Sequence, residues 1–519
     1  MTVTELQRPA MTHREVLEAM SGLLLGMFVA ILSSTVVSTS LPRIVADLHG
    51  TQSGYTWVVT ATLLALTVST PIWGKLADLF DRKLLVQTGL LVFVAGSILA
   101  GLSTSMGWLI ACRVVQGVGA GGLTALVQVI LSDLVSPRER GRYSGYLGAV
   151  FGVGTVAGPL LGGLITDSIG WRWCFYVGVP FALAAFVVLQ LTLHLPRRRR
   201  PVRLDYPGAI LVATGVSSLL IWVSLAGQDY AWLSWQTAAL VTAGIVLLIG
   251  AVIVERRAPE PLVPLDLFDN RTVVLAVIAS VAVGIAMFGT TVFLSQYMQV
   301  ARGKSPTESG LLTIPMVVGL FVASTLIGRR VTRTGRYKRF MLAGTALLTA
   351  GLALMGTLDE TTSLADLAAF MVVVGAGVGA LMQNLVLVVQ NSVAQREMGA
   401  GSSLIAFFRS LGGALGVSVL GAVLAHKASS SITDGLATAG IDPATAGDSS
   451  QVPSVADLPP AIAQIVEHAY GTGIAEIFLL GAPLGLVAMA AIALMSEVPL
   501  GTRSGIELAR EELAGREAA

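Results

Sequence analysis

The sequence predicts an all-α membrane protein with fourteen transmembrane helices: two six-helix halves, two extra central helices, and both termini in the cytoplasm. Three observations support this prediction: an apolar composition, fourteen long apolar runs and a one-sided distribution of Lys and Arg. Of the 519 residues, 54% are hydrophobic and 12% are charged, which is about half the charged fraction of a soluble protein. Together with a mean hydropathy of +0.77, this indicates a chain whose solvent is lipid.

Each apolar run is long enough to cross a bilayer, since about 20 helical residues span roughly 30 Å of hydrocarbon. An even number of spans places both termini on the same side. We number the predicted spans 1 to 14; they centre on residues 28, 67, 94, 119, 154, 184, 217, 245, 284, 319, 349, 378, 414 and 484.

Lys and Arg give the direction of the spans, because inner loops carry an excess of both residues. With the termini inside, twenty-six of the 33 Lys and Arg fall in inner segments, five in outer segments, and Arg113 and Arg409 within spans. The first run begins near Val16 and is too long for the apolar region of a signal peptide, so we expect it to remain as an anchor. The predicted location is the bacterial cytoplasmic (inner) membrane, with several passes.

Two similar inner loops suggest duplicated halves. Aligning Gly74 of "GKLADLFDRK" with Gly328 of "GRRVTRTGRYK" brings Arg82 onto Arg336. The offset of 254 residues leaves room for one extra helix pair, spans 7 and 8, which we expect to face lipid. Duplicated halves around a central pathway are typical of secondary transporters.

These observations divide the chain into consecutive units. A long outer loop is expected over residues 427–471, with a short interfacial helix in "LPPAIAQIVEHAY" as one possibility for part of it. The units are a cytoplasmic tail (1–15), an N-terminal six-helix bundle (16–195), a linker that contains spans 7 and 8 (196–257), a C-terminal six-helix bundle (258–497) and a cytoplasmic tail (498–519).

Composition also argues against several other functions. A net charge of +2 argues against a nucleic-acid partner, which needs a concentrated basic face. Cys112 and Cys174 form neither a disulfide framework nor a metal-ligand spacing. The sequence contains no Ser-His-Asp set, metal cluster or phosphate-binding loop, so we expect no enzyme activity, no cofactor and no metal.

Span 5 contains the segment "GVGTVAGPLLGG". Gly154, Gly158 and Gly162 are spaced by four residues, which places a groove along one helix face and lets a neighbouring helix approach and slide. Pro159 removes one backbone hydrogen bond and permits a bend. The alternative interpretation of this segment is close packing alone.

Six segments, each of moderate specificity, resemble the motifs of one family in the expected order. They are "GKLADLFDRK" (74–83), "RVVQGVGAGG" (113–122), "GTVAGPLLGG" (154–163), "WRWCFYVGVP" (171–180), "YMQVARGKSPTESGLLTIP" (297–315) and "FFRSLGGALG" (407–416). Over nearly its whole length the chain resembles the fourteen-helix drug:proton antiporter branch of the major facilitator superfamily. The resemblance implies the major facilitator fold and a multidrug efflux transporter that works by alternating access. The implied partners are the lipid bilayer, an amphipathic small molecule and protons, and a monomer is expected.

The resemblance also implies a conformational switch, formed by Gly74, Asp78 and Arg82 in loop 2–3 together with the span 5 residues. Asp78 would help to latch the halves in an outward-facing state. The chain departs from the family pattern at Leu79 and Asp81, and the second copy has Thr332 at the position of the acid. The alternative is that Asp78 and Arg82 belong to a solvated turn.

The hydroxyl-rich segment "ILSSTVVSTSLP" (31–42) departs most from the family, which commonly has Asp at the position of Ser33 and Asn at that of Ser38. One interpretation is that its hydroxyls bond their own helix or pack against a neighbour. The other is that they line a polar cavity, which by resemblance is formed by spans 1, 4, 9 and 12. Polar residues on these four spans favour the cavity; the predicted pathway residues are Ser33, Ser34, Thr35, Ser38, Arg113, Gln116, Gln296, Gln383 and Asn384.

Ionisable residues in and near the spans carry separate expectations. Arg113 is expected to orient span 1 and tune a proton site, with snorkelling as the alternative, and Arg409 is expected to snorkel. No carboxylate lies near a midplane, so proton coupling follows from the resemblance alone. Asp133 is expected at the inner surface, and Glu476 about one turn into span 14 and partly buried. The proton-coupling candidates are Glu476, Glu308, Asp47 and Asp133.

Two rival functions remain open at this point. One is export of a specific endogenous lipid, peptide or secondary metabolite, which the missing acid in span 1 favours. The other is a membrane receptor or scaffold that does not transport. The intact glycine and proline residues of span 5, needed when helices move, argue against the receptor.

Overall fold

The computed structural model describes residues 13–48, 52–135, 137–193, 206–226, 230–258, 265–304, 306–394, 397–440 and 459–500. In these ranges the chain forms fourteen helices of fifteen residues or more, and each predicted span centre lies inside the helix of the same number. The helices are α1 (His13–Asp47), α2 (Gln52–Leu79), α3 (Arg82–Gly101), α4 (Met106–Leu134), α5 (Pro137–Ser168), α6 (Gly178–Thr192), α7 (Tyr206–Leu225), α8 (Trp235–Glu255), α9 (Arg271–Gln296), α10 (Ile314–Thr334), α11 (Lys338–Met355), α12 (Leu364–Ser392), α13 (Met398–Thr438) and α14 (Pro460–Leu494).

Thirteen stretches of the described chain are long and apolar enough to cross a membrane, and α7 contributes a shorter apolar segment, Pro207–Val223. The all-α fold class is therefore confirmed. Below, the inner end of the bundle is the end that holds the α2–α3 turn, and the outer end is the opposite one.

The first backbone N–H groups of a helix have no partners inside the helix, and polar residues just before several helices accept hydrogen bonds from them. The Ser105 hydroxyl accepts a hydrogen bond from the backbone N–H of Trp108 at the start of α4. The Asp81 carboxylate accepts one from the N–H of Lys83 at the start of α3. At the other end of α10, Gly335 adopts φ +68°, a left-handed conformation that glycine tolerates and that ends the helix.

The helices form two halves, each with its own apolar core. One core joins residues of α1 to α6, and the other joins residues of α9 to α14. The helices with the largest buried share are α4 and α12. These helices carry the predicted pathway residues Arg113, Gln116, Gln383 and Asn384.

Helices α7 and α8 form a hairpin beside the contact between the halves. Val216 and Leu220 of α7 pack with Phe407 of α13 and with Leu64 and Val68 of α2. The expectation that both helices face lipid fits α8, of whose apolar window only 11% is buried. It is wrong for α7, because one face of α7 contacts both halves.

Helices α13 and α14 are much longer than a membrane span. Their 41 and 35 residues correspond to about 60 Å and 50 Å of helix, against roughly 30 Å of hydrocarbon. In their outer parts, Ala428 and Ile432 of α13 belong to the same apolar core as Ile462 and Val466 of α14. Much of the outer loop expected over residues 427–471 is therefore a helical extension of the C-terminal half.

Candidate functional site

The hydroxyls of α1 point in different directions. The Ser33 side chain is fully buried and its Oγ has no hydrogen-bond partner among the described residues. It faces α6, because a Cβ placed on Gly178 would lie 2.5 Å from this oxygen. The Thr35 hydroxyl donates to carbonyls of its own helix and contacts the Gly154 carbonyl of α5 at 3.1 Å. Ser33 and Thr35 therefore lie in helix packing and not on an open pathway.

Ser34 and Ser38 lie on a more accessible face of α1. Ser34 is half-buried and Ser38 is exposed. The Ser38 hydroxyl donates to the Ser34 carbonyl at 2.8 Å, so it is satisfied by its own helix. The hydroxyls of α1 therefore divide between a packed face and an accessible face, and the lining of a cavity by Ser34 and Ser38 stays a prediction.

The glycines of α5 form the surface that receives α1. A Cβ on Gly154 would lie 2.9 Å from Ile31 Cγ2, and a Cβ on Gly162 would lie 2.7 Å from the Val36 carbonyl oxygen. A Cβ on Gly158 would overlap the Thr35 hydroxyl. The predicted groove is confirmed, and its partner is α1. The ring of Pro159 lies outside the described side chains, and α5 continues as a helix through this position.

Arg113 is held inside the N-terminal half and does not snorkel. It is 2% exposed and donates to the side-chain oxygen of Gln116 and, at 3.4 Å, to the Val58 carbonyl. Gln116 in turn donates to Ser97 Oγ at 2.7 Å. This network joins α2, α3 and α4, so the hydrogen bonds of Arg113 do not reach α1.

Neutral amides connect the two halves toward the inner end. Gln128 of α4 donates through Nε2 to Oε1 of Gln383 in α12 at 3.0 Å. Gln390, two helical turns after Gln383, donates to the Gln128 carbonyl at 3.4 Å and to Ser402 Oγ of α13 at 2.6 Å. Asn384, in contrast, donates to the Ala380 carbonyl of its own helix. We call Gln128, Gln383, Gln390 and Ser402 the amide bridge.

Gln390 and Ser402 were not predicted from the sequence. A usable signal was the seven-residue spacing of Gln383 and Gln390, which places two amides on one helix face inside an apolar run. Gln296 lies elsewhere, at the last position of α9 near the outer end, and is partly exposed.

A buried ion pair lies at the inner end of the N-terminal half. Arg82, at the start of α3, pairs with Asp133 near the end of α4, and its Nε donates to the Ala77 carbonyl at 3.0 Å. The side chains of the pair are 6% and 7% exposed. Asp133 is therefore at the predicted depth but buried, and a solvated turn is the wrong interpretation for Arg82. The Asp78 side chain lies outside the described side chains.

Close by, Gly74 of α2 packs directly against Ser403 of α13, since a Cβ on this glycine would overlap the serine side chain. The two halves are therefore in tight contact at the inner end. The switch residue Gly74 lies at that contact, and Arg82 lies in the same inner region.

The remaining proton-coupling candidates lie toward the outer end and are accessible. Glu476 is 43% exposed and pairs with Lys427 at 2.9 Å. It is partly buried, as predicted, and it lies sixteen residues after the start of α14 because this helix begins in the segment expected as an outer loop. Glu308 lies 3.8 Å from Lys304. Asp47 accepts a hydrogen bond from Trp171 Nε1 at 2.7 Å.

Arg409 also differs from its expectation. It is 5% exposed and its Nη1 donates to the Met382 carbonyl of α12 at 3.5 Å. The guanidinium is held among the helices and does not extend to the surface.

Comparisons with known proteins agree with this architecture. The sequence model of the Major Facilitator Superfamily matches residues 23–417. An uncharacterized MFS-type transporter of Mycobacterium tuberculosis is 38% identical over 481 residues, covering 92% of this chain and 69% of the relative. The multidrug transporter protein MdtP of Bacillus subtilis is 36% identical over 416 residues, covering 80% of this chain and 76% of the relative.

Among solved structures, the human organic anion transporter MFSD10 superposes with a TM-score of 0.60 at 15% identity, covering 91% of this chain and 100% of the other. At that identity the likeness supports the fold alone. The match to the family model covers most of the chain, and the two alignments cover more than two thirds of each relative. The chain therefore belongs to the Major Facilitator Superfamily and is, as its motifs predict, a membrane transporter and not an enzyme.

Proposed function

We propose that this transporter exports amphipathic small molecules across the bacterial cytoplasmic membrane by alternating access, in exchange for protons. The observation that carries the proposal is the amide bridge, because Gln128 and Gln383 join the two halves through a hydrogen bond between neutral groups. Such a bond contributes only about 0.5–1.5 kcal/mol net. Water can replace it when the halves part, so the contact favours one state without locking it.

The positions of the contacts support a state that is closed toward the inner end. Gln390 lies two residues before the end of α12, and Gly74 lies five residues before the end of α2. Both residues contact the opposite half. At the other end, Gln296 and Ser38 remain accessible. An inner end that is closed while the outer end is accessible is the arrangement that export requires after the cargo has entered.

Among the four carboxylate candidates, Asp133 best fits proton coupling. A coupling group must change its surroundings between the two access states. Asp133 is buried beside the closed inner contact, so opening that contact would expose it to water and to the inner proton concentration. Glu476, Glu308 and Asp47 are accessible in this state, and the closed inner contact does not shield any of them from water.

The proposal is tested in proteoliposomes with an imposed pH gradient and a panel of cationic, anionic and neutral amphiphiles. Wild-type protein is expected to accumulate at least one of these compounds only while the gradient is present. Flux that ignores the gradient would contradict proton exchange, and no flux for any compound would contradict amphiphile export.

Asp133→Asn is expected to lose gradient-driven transport while it keeps counterflow, which needs no gradient. Glu308→Gln and Glu476→Gln are the matched controls and should keep both activities. Loss of gradient-driven flux in either control, with Asp133→Asn unchanged, would assign the coupling to the outer end.

Gln383→Leu is expected to shift the equilibrium toward an inner-open state by roughly tenfold, because it leaves the Gln128 amide buried without a partner, at a cost of about 1–3 kcal/mol. Spin labels at Phe80 and Arg336, in the exposed inner turns of the two halves, would report the shift as a larger long-distance population. Asn384→Leu is the matched control, because Asn384 bonds only its own helix. Equal distance distributions in the two variants would show that the amide bridge does not hold the inner end closed.

Export of one endogenous lipid, peptide or secondary metabolite is the second candidate function. The described helices place no carboxylate near mid-depth, so a binding site selective for cations has no counter-charge there. A panel in which a single compound class is transported would favour this candidate over broad efflux.

A further inference from the structure

Counting residues from the start of α13 places Arg409 near the middle of a membrane span. It follows Met398, the first residue of α13, by eleven positions, which is about 16 Å at 1.5 Å per residue. Half of a hydrocarbon layer of roughly 30 Å is a similar distance. An ionisable side chain at this depth is costly, and such residues usually mark a functional site.

The guanidinium is poorly satisfied. It carries five N–H donors and stays charged at any physiological pH. Within the described chain it makes one hydrogen bond, to the Met382 carbonyl, which is 3.5 Å long and beyond the usual range for N–H···O. No carboxylate of the described chain pairs with it. Arg82 has a carboxylate partner and Arg113 has a side-chain amide, so Arg409 is the least compensated of these three buried arginines.

Arg409 lies where α13 contacts α9 and α12. Its backbone carbonyl packs against Gly284 of α9, where a Cβ would overlap the oxygen. Its guanidinium reaches the α12 backbone at Met382, the residue before Gln383, which joins the amide bridge. Phe407, two positions earlier on α13, packs against α7 on the other side of the helix. Arg409 therefore points into the bundle, beside the contact between the halves.

A polar group on the neighbouring helix α9, the Ser280 hydroxyl, also lacks a hydrogen-bond partner. Ser280 precedes Gly284 by four residues, so both lie on the same face of α9. The Ser280 side chain is fully buried, and its Oγ has no hydrogen-bond partner among the described residues. An unpaired hydroxyl and an uncompensated cation thus occur on two helices that are in direct contact.

We propose that Arg409 binds the oxyanion of an anionic amphiphile, a carboxylate or sulfonate carried on an aromatic or apolar body. This inference rests on the proposed export function and assigns its substrate class. A planar guanidinium binds a carboxylate through two parallel hydrogen bonds. A bound anion supplies the charge that the described helices lack at this depth, whereas a cationic drug would meet repulsion.

Two dyes with the same three-ring xanthene body test the assignment, because carboxyfluorescein is anionic and rhodamine 6G is cationic. Wild-type protein in proteoliposomes is expected to transport carboxyfluorescein with the lower KM. Arg409→Gln should raise the KM for carboxyfluorescein roughly tenfold to hundredfold, the size of a lost charged hydrogen bond. The KM for rhodamine 6G should stay unchanged or fall. Arg409→Lys, which keeps the charge, should recover part of the carboxyfluorescein affinity.

Arg14→Gln removes a highly exposed arginine of α1 and is the matched control, expected to leave both KM values unchanged. Size-exclusion profiles show which variants fold, and fluorescence anisotropy of carboxyfluorescein on the purified full-length protein measures binding apart from transport. Equal losses for both dyes in Arg409→Gln would make Arg409 structural and overturn the inference.

Transport of rhodamine 6G without binding or transport of carboxyfluorescein would overturn the inference and leave the export function intact. The absence of both carboxyfluorescein transport and anisotropy that depends on Arg409 would overturn the inference, and the panel of amphiphiles would still test the export function separately.

Discussion

Arg82→Met is expected to lower the free energy of unfolding by about 3–5 kcal/mol, because it leaves the Asp133 carboxylate buried without its partner. Arg82 and Asp133 form a buried ion pair at the inner end of α3 and α4, where little water can replace the lost guanidinium. Arg82 also holds the Ala77 carbonyl, so the variant loosens the α2–α3 turn. Thermal unfolding of the purified protein in detergent, followed by tryptophan fluorescence, measures the change.

The double variant Arg82→Met/Asp133→Leu should recover most of this stability, since apolar replacement of a whole buried pair is often neutral or stabilising. Arg336→Met is the matched control. Arg336 aligns with Arg82 in the second copy of the loop but is exposed, so its variant should stay within about 0.5 kcal/mol of wild type. A double variant as unstable as the single one would show that the unpaired carboxylate is not the cause.

Gly158→Leu is expected to abolish transport and to destabilise the fold by at least about 1–3 kcal/mol, the usual cost of overpacking a tight interface. Even a Cβ at this position overlaps the Thr35 hydroxyl, and leucine adds three further carbons. Helices α1 and α5 must then separate along the face that Gly154 and Gly162 also use. Efflux in proteoliposomes and the melting temperature in detergent measure the two effects.

Gly107→Leu is the matched control, because a Cβ on Gly107 meets nothing within 4 Å. It lies in the first turn of α4 and carries the same change in size and helix propensity. Transport by Gly158→Leu at the rate of Gly107→Leu would mean that α1 and α5 do not depend on this contact.

The order and number of the helices were predictable because they depend on a local property, the length of an apolar run. The glycine spacing in α5 was equally informative, since residues four apart share a helix face whatever the partner. The partner itself, α1, was not predictable from the spacing. The pairing of Asp133 with Arg82 required knowing how α3 and α4 meet, and sequence distance alone placed Asp133 at a surface.

Side-chain direction was the least predictable feature. Ser33 and Ser34 are adjacent and chemically identical, yet one is fully buried against α6 and the other is accessible. Many hydroxyls in a helix indicate that it packs inside the protein and not against lipid. The direction of each hydroxyl depends on the neighbouring helices, which the sequence of one helix does not show. The prediction that Arg409 snorkels was wrong for a similar reason. Helix α13 begins at Met398, which places Arg409 too far inside the bundle to reach the inner surface.

The outward parts of α13 and α14 have a practical consequence. Ala428, Ile432, Ile462 and Val466 join these helices in the C-terminal core, and the pair extends well past the hydrocarbon thickness. A rigid feature of this kind protrudes from a detergent micelle or nanodisc. It gives single-particle images of a small transporter, of 53.9 kDa, a marker of orientation. An antibody fragment raised against it would bind in both the inward-open and the outward-open state.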